Sequence, residues 1–299
     1  MATTKAASTK RATAKKSAAA KTTVRTIRAE AKPESRPVVS SVSRESKSMK
    51  LPDNIVNIIF AELIGTFILT LVALLAFKET AALYVGLTLA LLVVAIGTVS
   101  GAHVNPAVTF GLWTMRKIKA VLVPFYWGAQ FLGAMLAVMT TSWMAGGSVK
   151  LNFDHFAQLN WSLMGVELVG AAVFMFGLGA AISRVDLSAG ARALGVGFSL
   201  MVGLLVSSSL LAGVQAAVDT GKITSVADVP HVLRVKGAAL NPAVAVAATE
   251  ATDSSFTGTR AIGTEKQYSR LGLEVLLGTL IGAALGGNLY LLVAGRKNS

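Results

Sequence analysis

The sequence predicts an all-α membrane protein with six transmembrane helices and two re-entrant half-helices in an inverted repeat. Three observations predict it. Six apolar stretches approach the ~20 residues that cross a bilayer. An Asn-Pro-Ala triplet interrupts the apolar pattern once in each half. A second echo, a Glu three residues before a Gly, sits in the first and fourth stretches. Composition supports the class: the 299 residues are 53% hydrophobic and 14% charged, with mean hydropathy +0.62, whereas soluble domains carry about a quarter charged residues.

The first fifty residues stand apart. They hold 13 Lys/Arg against Glu30, Glu34 and Glu45, while the remaining 249 hold 15 basic and 12 acidic residues. This Ala/Lys/Thr/Ser-rich segment has too few large apolar residues to offset ordering entropy, so 1–50 is expected to be a disordered, basic, cytoplasmic tail. It lacks the apolar core of a secretory signal and loosely fits an organelle transit peptide. Its charge suits anionic lipid or other polyanions, nucleic acid included. The chain has no cysteine, which excludes disulfides and thiolate metal sites.

Residues 51–299 are expected to form the membrane domain, with a first repeat at about 55–146 and a second at about 160–294. The spans fall at about 55–77, 81–99, 119–145, 161–183, 193–213 and 271–294. Placing the tail inside returns Arg296 and Lys297 to the same side and puts Arg116, Lys117, Lys119, Arg184 and Arg192 there too. That is 20 basic residues inside and 8 outside, so both termini are expected in the cytoplasm, with the plasma membrane as host.

Span one contains "AELIGTF", with Glu62, and span four "VELVGAA", with Glu167. Three spans precede the second half, so the halves must insert upside down relative to one another, which places a shared site near the bilayer midplane. Acids inside apolar spans are costly unless paired or hydrogen-bonded.

"SGAHVNPAVTF" (100–110) and "KGAALNPAVAV" (236–246) align as Gly-Ala, two free positions, then Asn-Pro-Ala-Val. Each Asn is an N-cap, and Pro in the next position is preorganised for a first turn. Asn105, Pro106 and Ala107 thus start a half-helix running to about Met115, and Asn241, Pro242 and Ala243 one running to about Ala251. At ~1.5 Å per residue each is about 15 Å long, half of the hydrocarbon core. Inverted insertion brings the two N-termini together. Their free N–H groups and positive dipole ends converge, with the Asn amides turned toward a pore that favours neutral hydrogen-bond acceptors over cations and protons. Irregular backbone at this depth persists only when buried or lining water.

The paired Asn-Pro-Ala boxes, "SGAHVNPAVTFG", "AELIGTF" and the span-four Glu resemble the aquaporin/aquaglyceroporin (major intrinsic protein) family, over about residues 55–294. The resemblance implies a passive channel and no enzymatic activity, cofactor or metal. It also implies one pore per subunit, usually in a homotetramer, with water or small neutral solutes as permeants. It makes Glu62 and Glu167 buried acceptors that hold the half-helix loops, and His103 a pore-lining or gating residue, with a structural hydrogen bond as the alternative. His155 and His231 fall in presumed outer loops and carry no motif. Gly278, Gly282 and Gly286 read as a helix-packing ladder.

The sequence departs from the family at the outer filter, where the usual Arg is Val244. The remaining filter positions, carried over by spacing, are Val85, Val202 (Leu204 if the register shifts) and Ala238, all apolar. The expected filter is wide and dry, permissive for water, glycerol, ammonia or hydrogen peroxide. Arg234 or Lys236 is a candidate substitute charge, and the 219–237 loop a candidate lid. The alternatives are a proton-coupled small-solute transporter on the same scaffold, and an interaction protein acting through its basic tail.

Overall fold

The computed structural model describes residues 51–258 and 267–295. The expected basic tail, and Arg296 and Lys297, lie outside the described residues. Among the described residues five helices are long and apolar enough to cross a membrane: α1 (Ile55–Leu75), α4 (Val123–Met144, entered through a turn at Ala120–Leu122), α5 (Trp161–Ser183), α6 (Ala189–Ala216) and α10 (Leu273–Ala294). The sixth expected span is α2 (Ala81–Ile96), apolar but only 16 residues, about 24 Å of helix. α6 starts earlier than its hydropathy suggested because Ser188 caps it, its hydroxyl accepting from Ala191 N at 3.2 Å.

The two half-helices are α3 (Pro106–Thr114) and α8 (Pro242–Ala247). α8 stops about a turn sooner than the sequence suggested. Past Ala247 the backbone is captured by the segment before α10: Arg270 N donates to Ala248 O (2.8 Å), and Glu250 N to Tyr268 O (3.0 Å). Nearby, β1 (Leu151–Asn152) and β2 (Gln267–Tyr268) form a parallel pair. Two further short helices, α7 (His231–Arg234) and α9 (Ser254–Thr257), lie in the connections flanking α8.

The inverted repeat shows in the packing. α1 lies on α4, as α5 lies on α10, and α2 meets α6 across the halves. Each half-helix reaches into the opposite half: α3 packs on α10 as well as α4, and α8 on α4 and α1. Backbones come this close because glycine lines the seams. A Cβ at Gly278 would lie 2.7 Å from Met164 O, and one at Gly282 or Gly286 would collide with the carbonyl of Leu168 or Ala172. Gly133 of α4 sits likewise over the carbonyl of Leu63 in α1. The span exteriors carry large exposed apolar side chains such as Phe60, Leu91 and Leu289, as lipid-facing surface requires.

Candidate functional site

The two half-helices meet tip to tip. Asn105 caps α3 by accepting from Ala107 N (2.8 Å), and its Nδ2 donates to Leu240 O (2.9 Å). Asn241 caps α8 by accepting from Ala243 N (3.0 Å) and Val244 N (3.4 Å), and its Nδ2 donates to Val104 O (2.9 Å). Each amide therefore spends one N–H on the residue preceding the opposite cap. The sequence reading left both amides free for the pore; here only the second N–H of each remains. The reciprocal bonds lock the tips at one level, where both positive dipole ends face the same point.

The carbonyls reach across because the backbone turns left-handed just before each cap, with φ +44° at Val104 and +49° at Leu240. Ala102 is also left-handed, at φ +51°. For L-residues this costs roughly 1–2 kcal/mol each, and a β-branched Val is the least expected occupant. The opposing force comes from the two buried acids. Glu62 Oε1 accepts from Ser100 Oγ (2.6 Å) and His103 N (3.0 Å), and Oε2 from Val104 N (2.7 Å) and Gln130 Nε2 (2.8 Å). Glu167 accepts from Ala239 N (3.0 Å) and Leu240 N (2.9 Å). Both acids are fully buried, and each holds the N–H of the strained residue itself.

The two anchors differ in one respect that no local pattern revealed. Arg270, from the segment before α10, donates to Glu167 Oε1 (3.1 Å) and to Glu274 Oε1 (3.0 Å), and all three side chains are almost wholly buried. Glu274 lies more than a hundred residues from Glu167 along the chain, so only the fold brings the two acids together.

A cavity of about 790 Å³ has Asn105 and Asn241 in its lining. Of the filter candidates, Val85, Ala238 and Val244 line it. Val202 does not: it is 42% exposed on the outside of α6. Its alternate, Leu204, is in the wall, since two residues along a helix turn the side chain by about 200°. Lys236 and Arg270 also contribute to the lining. Arg234 is committed elsewhere, to Asp253 (2.8 Å), to Val226 O (2.9 Å) and over the ring of Phe256. The 219–237 loop is tied down rather than loose: Gln215 Nε2 donates to Val232 O and Val235 O, both at 2.9 Å.

His103 is buried, stacked on Tyr126 with ring centroids 4.4 Å apart, and its Nδ1 lies 3.1 Å from Thr109 Oγ1. It is not among the residues lining the cavity.

The family described as "Major intrinsic protein" matches residues 56–225. Aquaporin Z of Photorhabdus laumondii subsp. laumondii is 30% identical over 192 residues, 56% of this chain and 81% of that protein. Aquaporin-5 of Mus musculus is 33% identical over 126 residues, covering 40% and 48%. Aquaporin NIP2-3 of Zea mays is 34% identical over 91 residues, covering 30% of each chain. The chain thus spans less than half the length of two of these relatives. With a family match over more than half its residues, apolar spans and an inverted pair of Asn-capped half-helices, this integral, multi-pass chain belongs to the major intrinsic protein family.

Proposed function

We propose that the protein is a passive channel for water and small uncharged solutes, with the permeant passing the Asn105–Asn241 pair. One observation carries the reading. The two half-helix tips are held end to end by reciprocal amide–carbonyl bonds, and both Asn residues line a roomy cavity. Two helix N-termini directed at one point raise the electrostatic cost for a cation. A neutral hydrogen-bonding solute is unaffected by that cost.

The filter sets the range of solutes. Val85, Leu204, Ala238 and Val244 supply no donors from their side chains, so a passing solute keeps fewer hydrogen bonds there but has more room. Arg270 brings a guanidinium to the wall, but its contacts with Glu167 and Glu274 largely cancel its charge. It does not replace the fixed positive charge expected at position 244. The barrier to cations therefore rests on the half-helices, with Lys236 in the cavity wall as the remaining candidate charge, and the filter passes glycerol-sized solutes, ammonia and hydrogen peroxide along with water. Glu167 is bonded to two backbone amides and Arg270, which suits a fixed anchor better than a proton carrier in a coupled transporter. Exposed apolar faces on the spans suit a membrane-embedded body, and a homotetramer in the plasma membrane with both termini in the cytoplasm is the arrangement proposed from the family and from the basic residues that flank the spans.

The test is solute flux in proteoliposomes by stopped-flow light scattering under water, glycerol and urea gradients. Val244→Arg is expected to lower glycerol flux at least tenfold while leaving water flux within about threefold, because it adds bulk and charge at the wall. Identical solute ratios in the two proteins would overturn the wide-filter reading.

A further inference from the structure

Three connections converge beside the cavity, away from the half-helix tips. His155 comes from the α4–α5 connection, His231 from α7, and Glu250 from the segment after α8. One ring nitrogen from each of His155 and His231 and one carboxylate oxygen of Glu250 all lie within 4.8 Å of one another. His231 Nε2 is 2.6 Å from Glu250 Oε1, and His155 Nδ1 is 3.3 Å from Oε2. We propose that these three residues form a site for one divalent transition-metal ion of the zinc type, with a fourth position left for water.

The chemistry of the donors fits. Two imidazoles and one carboxylate make a borderline set that takes Zn²⁺ with Zn–N of about 2.0–2.1 Å and similar Zn–O distances. Two donors on a tetrahedral ion of that size stand roughly 3.3 Å apart, so the cluster closes around the ion with side-chain shifts on the order of 1 Å. Ligation uses the Nε2–H tautomer of His155 and the Nδ1–H tautomer of His231, leaving one lone pair of each ring for the ion.

The cluster is also held in place before any ion arrives. The ring of His155 stacks on Tyr268, with centroids 3.6 Å apart and planes 9° from parallel. Tyr268 lies in β2, which pairs with β1 three residues before His155. Glu250 N is bonded to Tyr268 O, so the same strand fixes two of the three ligands. The Glu250 side chain is 2% exposed, while those of His155 and His231 are 21% and 13% exposed. The ion has a path from solvent, and the carboxylate is shielded. Burial pushes the Glu250 carboxyl up, but hydrogen bonds and charge from His231, then the His155 bond and the Arg270 charge, outweigh it and leave the group below its ordinary value. Lys236 nearby opposes a second positive charge, while Arg270 is already paired with Glu167 and Glu274, so micromolar rather than nanomolar affinity is expected.

Background binding is small. The chain has three histidines and no cysteine, and the third histidine, His103, is buried against Tyr126. An occupied site would pin three connections together beside Lys236 and Thr249, which line the cavity.

The test uses the tag-free full chain in detergent, stripped with chelator and titrated with ZnCl₂ by calorimetry, and with CoCl₂ by visible absorption. One ion per chain is expected, with visible d–d bands for cobalt. His155→Ala, His231→Ala and Glu250→Gln should each weaken binding at least tenfold. X-ray absorption at the zinc edge of the unmodified protein, which needs no variant to fold, should show two imidazoles on the ion. Absence of stoichiometric binding, fewer than two imidazoles, or full affinity in the double His→Ala variant would overturn the assignment. Binding is read without flux, so a negative result would leave the channel reading standing.

Discussion

Replacing Glu62 with Gln isolates the force that holds the first half-helix. All four partners of the carboxylate donate to it: Ser100 Oγ and His103 N to one oxygen, Val104 N and Gln130 Nε2 to the other. An amide of the same shape keeps one acceptor and turns the other into a donor. In either orientation one backbone donor, His103 N or Val104 N, loses its acceptor and faces an NH₂ group, while the side-chain partner, Ser100 Oγ or Gln130, can turn to accept from it. A hydrogen bond to a charged group contributes about 1.5–3 kcal/mol, so the loss is at least roughly 1.5–3 kcal/mol. The strain at Val104 is then opposed by less. For a domain of this size each kcal/mol shifts Tm by roughly 2–4 °C, and a drop of about 3–12 °C follows. The assay is thermal unfolding in detergent followed by circular dichroism, with water flux measured on the same preparation. A Tm within about 2 °C of the parent, with flux unchanged, would refute the view that Glu62 restrains this loop.

Other expectations can be checked on the same preparations. Gly282→Ala should lower Tm strongly, because its Cβ runs into the Leu168 carbonyl, an overpacking cost of typically 1–3 kcal/mol or more. Gly213→Ala, in α6 with open space around it, should leave Tm unchanged or raise it, since Ala is the better helix former by about 1 kcal/mol. Glu250 has a depressed folded pKa, so its contribution is present above its ordinary value of 4.5 and is lost as pH falls through the lower folded value. The Tm gap between the parent and Glu250→Gln, measured from pH 6 to pH 3.5, should therefore shrink in acid; a gap that widens would contradict the assignment.

Much of this architecture can be read along the chain because it is local. Hydropathy placed the spans within a few residues, and the Asn-Pro pairs marked where α3 and α8 begin, since capping and the missing proline N–H are properties of neighbouring residues. What escaped is what distant segments impose. α8 ends early because the segment before α10 binds its outgoing backbone. Leu204 rather than Val202 faces the cavity because the rotation of α6 is set by its packing on α2 and α5. Arg270 and Glu274 reach Glu167 only through the fold, and so do the three ligands of the His155–His231–Glu250 cluster. Left-handed Val104 and Leu240 run against residue preference, and they are tolerated because a buried carboxylate takes the N–H of each. No composition or motif signals that arrangement before the helices are packed.

The central claim is that two half-helix tips, locked amide to carbonyl, pass neutral molecules and repel cations. It is tested most directly by measuring water permeability and ion conductance on the same proteoliposomes, for the parent chain and for Asn241→Asp. Water flux well above that of empty liposomes with no ion current is expected for the parent. A cation current should appear in the variant, whose carboxylate still caps α8 but loses the donor to Val104 and adds negative charge at the tips. Parent water flux equal to that of empty liposomes, or an ion current already present in the parent, would contradict the account.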